Sequence, residues 1–410
     1  MQRIDLDANA TTPVLPEVLQ AMLPWLAAGG NPSSAHQSGQ RTRSAVERAR
    51  AQLATLLHCN PRELVFTSGG TESNNLALFG VLQPFLTSRE PAHLITSATE
   101  HHAVLYPAGY LEIQGIEVTC LAPGPDGLID PAAFAAALRP HTKLVSIMLA
   151  NNETGAIQPL GKLARIAKDH DPHLLVHTDA VQAAGKLPLD LSGEFKNVDL
   201  LSLSGHKMYA PQGTGALFVR KGVQLTAQLH GGPQERQRRA GTENVPGIVA
   251  LGHAAELASA WLNRKLEAGN SQLEINPSTA HSPQALTALR DHLEQGLLAA
   301  IPGTSINGTT THRAPNTTNL RFEGVDAESL LIALDMQGIA ASFGAACQSG
   351  ATEPSHVLLA MGLTPAEARS SLRLSLSRLT TADDITRALD IIPAAVARLR
   401  SLASLEAHQY

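Results

Sequence analysis

Lys207 closes an apolar run, Leu200-Leu201-Ser202-Leu203, inside a short polar turn, Ser204-Gly205-His206-Lys207. An amine held in such a turn is partly stripped of water. Desolvation disfavours the ammonium, and the free amine is the form that adds to a carbonyl to make a Schiff base. Asp179 stands at the end of a second apolar run, in Val176-His177-Thr178-Asp179-Ala180-Val181-Gln182. Ligands bind beyond the carboxyl ends of strands in parallel sheets, so a carboxylate there can pair with a cationic ring nitrogen. Gln182, three residues on, can reach the same ligand. A third stretch, Thr67-Ser68-Gly69-Gly70-Thr71-Glu72-Ser73-Asn74, follows a strand-like run and opens a helix-like one. Its glycines let backbone approach a ligand, and the N–H groups of a helix start favour phosphate. It lacks the Gly-Lys-Ser/Thr of a Walker loop. Each feature alone has a plain alternative: a surface lysine, an Asp that caps the next helix, a capped strand-to-helix turn.

Together, and in that order along the chain, the three are the parts that pyridoxal 5'-phosphate (PLP) requires: a phosphate cradle, an acid for the pyridinium nitrogen, and an amine for the aldehyde. Ser204 and His206 flank the amine and can bind phosphate. His101, in Thr99-Glu100-His101-His102-Ala103, follows another strand-like run. It can stack on a cofactor ring and move protons near neutral pH. Adjacent histidines on a loop seldom share one metal, and no Cys/His cluster has zinc spacing, so no metal site is expected. Cys347 sits in a run of small residues, Ser342-Phe343-Gly344-Ala345-Ala346-Cys347-Gln348-Ser349-Gly350-Ala351. An accessible thiol is only partly ionised at neutral pH yet is a strong nucleophile. Cys59 and Cys120 read as inert core residues.

The scaffold that must position these groups reads as α/β. Short apolar runs at 64–67, 93–96, 116–120, 144–149, 174–178 and 200–203 alternate with helix-like stretches such as 44–57, 71–82, 131–138 and 160–170. Continuous apolar strands between helices mean a mostly parallel sheet covered on both faces. A long helix is expected over 248–263 and a polar linker over 264–283. Beyond it, a strand near 319–322 mixes with helices at 326–337, 365–371 and 381–402, the pattern of a smaller α+β domain. The 410 residues are 43% hydrophobic and 3% aromatic, so aliphatic side chains must fill the core. A net charge of −5 argues against a basic nucleic-acid or anionic-membrane surface. With no run of about 18 uncharged apolar residues, no membrane span is expected, and a cytoplasmic location is the default.

These blocks resemble the cysteine desulfurases (NifS/IscS-type) of the class V aminotransferase superfamily of PLP enzymes. The likeness includes Leu6-Asp7-Ala8-Asn9-Ala10-Thr11-Thr12, the Thr67–Asn74 block, Ala150-Asn151-Asn152-Glu153-Thr154-Gly155 and Ser204-Gly205-His206-Lys207. It continues through Arg239-Ala240-Gly241-Thr242-Glu243-Asn244, Ala346-Cys347-Gln348-Ser349 and Ser371-Leu372-Arg373-Leu374-Ser375. The resemblance implies PLP fold type I, with a large PLP-binding α/β domain at 15–260. A small α+β domain from 1–14 and 261–410 would carry the Cys347 loop. It implies that Lys207 holds PLP, that Asp179 pairs with the ring nitrogen and that Gln182 pairs with the phenolic oxygen. His101 would stack on the ring as acid and base. Gly70, Thr71, Ser204 and His206 would bind the phosphate, and Thr242 would reach the phosphate in a partner subunit of a homodimer. Asn152 and Arg373 would hold the carboxylate of L-cysteine. Cys347 would accept the sulfur as a persulfide, leaving L-alanine, and pass it to an acceptor such as an iron–sulfur scaffold protein. The small residues around it look like the long-loop group of the family. Selenocysteine lyases and aminotransferases of the same superfamily share many of these motifs and stay open as alternatives.

Overall fold

The computed structural model describes residues 3–264, 280–344 and 353–407. The strands, in chain order, are β1 (Ile4–Asp5), β2 (Leu64–Thr67), β3 (His93–Ser97), β4 (Glu117–Leu121), β5 (Thr142–Ser146) and β6 (Leu175–Asp179). They continue with β7 (Leu200–Ser204), β8 (Gly215–Val219), β9 (Thr304–Ile306), β10 (Thr317–Phe322), β11 (Ile339–Ala340) and β12 (Ser371–Ser375). One sheet has the order β2-β8-β7-β6-β5-β3-β4. Its strands from β7 to β4 pair in parallel, and β8 runs against both its neighbours. This is the expected mostly parallel sheet, plus one reversed strand that the apolar runs above do not include.

Both faces of the sheet are covered, and the side chains divide accordingly. Along β2, Leu64 and Phe66 enter one core cluster and Val65 the other, as the two-residue period of a strand requires. On the first face lie the helices Gln37–Leu57 and Val245–Leu262, through Leu53, Leu57, Leu251 and Ala255. On the second face lie Gly70–Ser88 and His102–Ile113, through Leu78, Leu82, Val104 and Leu111. Each fully buried Leu contributes about 1.5–3 kcal/mol. Val245–Leu262 is long and apolar enough to cross a membrane by length and composition, but it packs here as a core helix. A Cβ on its Gly252 would lie 2.5 Å from the Ala49 Cα, so the two helices touch where only glycine fits.

The rest of the chain builds a smaller α+β unit. β10 pairs antiparallel with β12 and β9, and β1 lies parallel to β11. The helices Pro283–Ala300, Ala327–Met336 and Ala382–Ala407 flank this sheet, and Leu289, Leu293, Phe322, Leu330, Leu372 and Ile392 share its core. The expected helix over 365–371 is shorter. A capping box at Thr364 starts it, Arg369 ends it, and Ser371 already begins β12. Leu372 and Leu374 both enter the core, so the period has changed to two and Arg373 faces the other way. The N-terminal segment joins the units. Ile4 and Leu6 lie in the second core, and the Thr12 N–H donates to the His206 carbonyl at 2.9 Å. Residues 265–279 of the expected linker lie outside the described residues.

Candidate active site

Strand pairing brings the phosphate-type turn and the lysine turn together. Gly215, at the start of β8, is paired with Thr67 at the end of β2 and with Ser204 at the end of β7. A Cβ on Gly215 would stand 2.7 Å from the Gly69 Cα, so the turn after β2 closes over a position that only glycine can occupy. Helix Gly70–Ser88 starts in this turn. A Cβ on Gly70 would meet Val181 Cγ2 at 2.7 Å. The bare backbone at the helix start is therefore left for something other than a side chain.

Beyond these strand ends lies a cavity of about 260 Å³ lined by Gly70, Thr71, His101, Asn152, Asp179, Gln182, Ser204, His206, Lys207 and Arg373. These come from six separate stretches of sequence, and the fold brings all of them together. Thr242 is not among them. It is exposed in the loop that follows residues 234–237. Cys347 lies outside the described residues.

The bonding of each group states what it can do. Lys207 Nζ donates to the Asn9 and Ala10 carbonyls at 2.5 Å each. Asp179 accepts from the Val181 N–H at 2.9 Å and from the Asn74 amide at 2.7 Å. Both carboxylate oxygens are thus oriented by donors, the arrangement that holds an anion ready for a cation. His101 caps helix His102–Ile113 by accepting the Ala103 N–H at Nδ1, at 3.0 Å. The neutral ring then carries its proton on Nε2. Burial lowers its pKa; Asp179 opposes this, and Lys207 and His356 add to it. Burial, with Lys207 and Lys186 beside it, takes His206 to about 4. Both imidazoles are neutral at neutral pH, and His101 carries its ring proton on Nε2. Arg373 donates to the Asn152 carbonyl at 3.0 Å and to Asp7 at 2.6 Å. Its Nε and the Asn152 Oδ1 are buried without a partner. Arg373 lines the cavity, and a guanidinium there suits a carboxylate.

Four further residues belong to the site and escape the residue-by-residue reading. Asn74 and Asn9 line the cavity. Glu100 is buried beneath it, where burial first and nearby Asp179 second raise its carboxyl well above the usual range, against a bond from the Met148 N–H at 2.6 Å. Lys186 is buried behind Gln182. Asn74, Asn9 and Glu100 stand within the motif blocks quoted above, and Lys186 follows Gln182 by four residues, but spacing alone does not show which way they turn.

The loop leading to Thr242 is held by a buried ion pair. Arg50 meets Glu235 at 2.8 Å, with both side chains 3–4% exposed, and Glu235 also accepts the Phe66 N–H at 3.0 Å. Glu235, Arg236 and Gln237 take the left-handed conformation in succession, with φ of 45°, 59° and 64°. Such backbone costs roughly 1–2 kcal/mol per non-glycine residue. Arg239 bonds Glu72 at 2.8 Å and so ties the same loop to the cradle helix. Removing one partner of a buried pair leaves the other uncompensated. Arg50→Met is expected to destabilise the fold by about 3–5 kcal/mol, read as a fall in the urea unfolding midpoint. A change below 1 kcal/mol would mean that the pair does not hold the loop.

Comparison with known proteins places these features. Residues 4–388 match the family model for aminotransferase class-V. A cysteine desulfurase IscS of Methanosarcina thermophila is 46% identical over 406 residues, covering 99% of this chain and 95% of that protein. The solved structure of a NifS-like protein superposes with a TM-score of 0.87 at 34% identity, covering 97% of this chain and all of that one. The structure of SspA in complex with cysteine superposes with a TM-score of 0.76 at 37% identity, covering 92% of this chain and 99% of that one.

Proposed function

We infer that this chain, which belongs to the class-V aminotransferase family and within it to the cysteine desulfurases, converts L-cysteine to L-alanine and transfers the sulfur to its own Cys347. The reading is carried by one observation: an amine, an oriented carboxylate, a neutral imidazole and an arginine share the cavity into which the Gly69-Gly70 turn opens.

The residues fit PLP, the cofactor of this family. The backbone at Gly70, where a Cβ would strike Val181, leaves the helix start bare for a phosphate. Ser204, His206 and Thr71 stand around it, and Thr242 of a second copy is proposed to complete the phosphate site in a homodimer. Lys207 would hold the aldehyde carbon, Asp179 the ring nitrogen and Gln182 the ring oxygen. Bound there, the cofactor supplies an electron sink that stabilises negative charge at the substrate Cα.

The chain's own groups do the rest. Arg373 and Asn152 bind the substrate carboxylate, which fixes the Cα relative to His101 and Lys207. His101, neutral and next to Lys207, holds or moves a proton at Nε2. The Cys347 thiolate attacks the substrate sulfur. The bond from Cβ to sulfur breaks as the new sulfur–sulfur bond forms, and the carbon regains a proton. The sum is balanced: cysteine plus one protein thiol gives alanine plus one protein persulfide. A scaffold for iron–sulfur cluster assembly is the proposed next acceptor. The nucleophile must stay a free thiol, which favours the reducing cytoplasm.

Purified holoenzyme given L-cysteine is expected to release L-alanine and to carry one extra sulfur on the tryptic peptide containing Cys347. L-Alanine without a persulfide, or a persulfide without L-alanine, would overturn the reading.

A further inference from the structure

Lys186 is a buried amine that the chemistry above does not use. It is 6% exposed, and its Nζ donates to Gln182 Oε1 at 2.6 Å and to Asn9 Oδ1 at 3.2 Å. Two backbone carbonyls decide which end of each amide it meets. The Asn9 side-chain nitrogen donates to the Asn152 carbonyl at 3.1 Å, so the Asn9 oxygen must face Lys186. The Gln182 nitrogen donates to the Asn9 carbonyl at 2.9 Å, so the Gln182 oxygen must face Lys186. A carbonyl only accepts, and neither amide can flip without losing a bond. With its oxygen engaged by Lys186, Gln182 has its second N–H left for the cavity it lines. The same Asn9 carbonyl accepts the Lys207 amine at 2.5 Å. One chain of bonds therefore runs from Lys186 through Gln182 and Asn9 to Lys207. Burial, with Lys207, Arg373 and Arg378 nearby, pushes Lys186 well below the usual amine range.

We propose that Lys186 is a positioning residue: it sets Gln182 as a hydrogen-bond donor toward the cofactor's ring oxygen and holds the Asn9 carbonyl in line with Lys207. The proposal rests on the PLP reading above and adds to it the device that orients two of its parts.

A donor on the ring oxygen competes with the proton that this oxygen shares with the Lys207 nitrogen. Without the donor that proton is held more tightly. The absorption band of the holoenzyme, titrated without substrate, reads the effect directly. Lys186→Met is expected to raise the midpoint by on the order of one pH unit, a tenfold change in the equilibrium. Gln182→Met should raise it as much, and the double variant no further, because both changes remove the same donor. Additive shifts would point to charge acting through space and overturn the proposal. So would a Lys186→Met midpoint that stays in place while the melting temperature falls, the mark of a purely structural role. If Lys186→Met does not fold, Lys186→Leu enters the same cycle under the same criteria. Wild-type protein that shows no cofactor band at all would overturn the reading of the site, a failure distinguishable from that of Lys186.

Discussion

Lys207→Ala is expected to lower L-alanine formation roughly a thousandfold or more. The effect is large because, among the described residues, no other lysine lines the cavity. Lys186 is the lysine closest in the bonding network, yet its Nζ is committed to Gln182 and Asn9 and it does not line the cavity. Lys207 instead stands at the cavity wall, and its Nζ meets two carbonyls that can only accept. Those bonds point the amine without supplying a counter-charge. Borohydride reduction of the wild-type holoenzyme should fix the cofactor to the peptide containing Lys207, and in the variant should fix it to none. An adduct on Lys186 in either protein would sink the assignment. Asp179 and the cradle remain in the variant, so weaker, non-covalent cofactor binding should persist. Complete loss of binding would show instead that Lys207 is needed to build the cavity.

What could be read from one dimension follows from how each group is held. Lys207 and Asp179 close apolar runs, and a strand end marks itself by a switch from apolar to polar residues. The Gly69-Gly70 turn marks itself by composition. Arg373 gives no such sign, because it sits in the middle of β12, opposite Asn319 on β10, and reaches the cavity from the smaller unit. Only family resemblance pointed to it. β8 (Gly215–Val219) opens on a glycine and is not among the apolar runs read as strands, although its burial is complete. That strand is nevertheless what pairs Thr67 with Ser204 through Gly215. Asn9 escapes for a different reason. Its side chain and backbone bond Asn152, Thr317, Gln182, Lys186 and Lys207, partners spread over most of the chain. A residue whose role is to satisfy groups from both units leaves no local pattern. Thr242 is assigned to a partner subunit's phosphate site by resemblance alone; it is exposed and does not line this chain's cavity.

Cys347→Ser is expected to abolish persulfide formation and to lower L-alanine release by at least about a hundredfold. The sulfur that leaves the substrate must be taken by a thiolate, and the other two cysteines are poor candidates. Burial first, and Glu63 second, push the Cys59 thiol up to about 12, against a smaller opposing effect of Arg220, and it packs against the large core. Cys120 is not the core residue expected: it is exposed on the edge strand β4, where partial desolvation and two glutamates also raise its thiol. Neither lines the cavity, and both remain protonated at neutral pH. The serine variant keeps Lys207, Asp179 and Arg373, so adding L-cysteine should still change the cofactor's absorption. That response separates a missing sulfur acceptor from a damaged site. L-Alanine made at the wild-type rate by the variant would reject the persulfide step. An extra sulfur found on the peptides of Cys59 or Cys120 in the wild type would move the acceptor to a thiol that does not line the cavity.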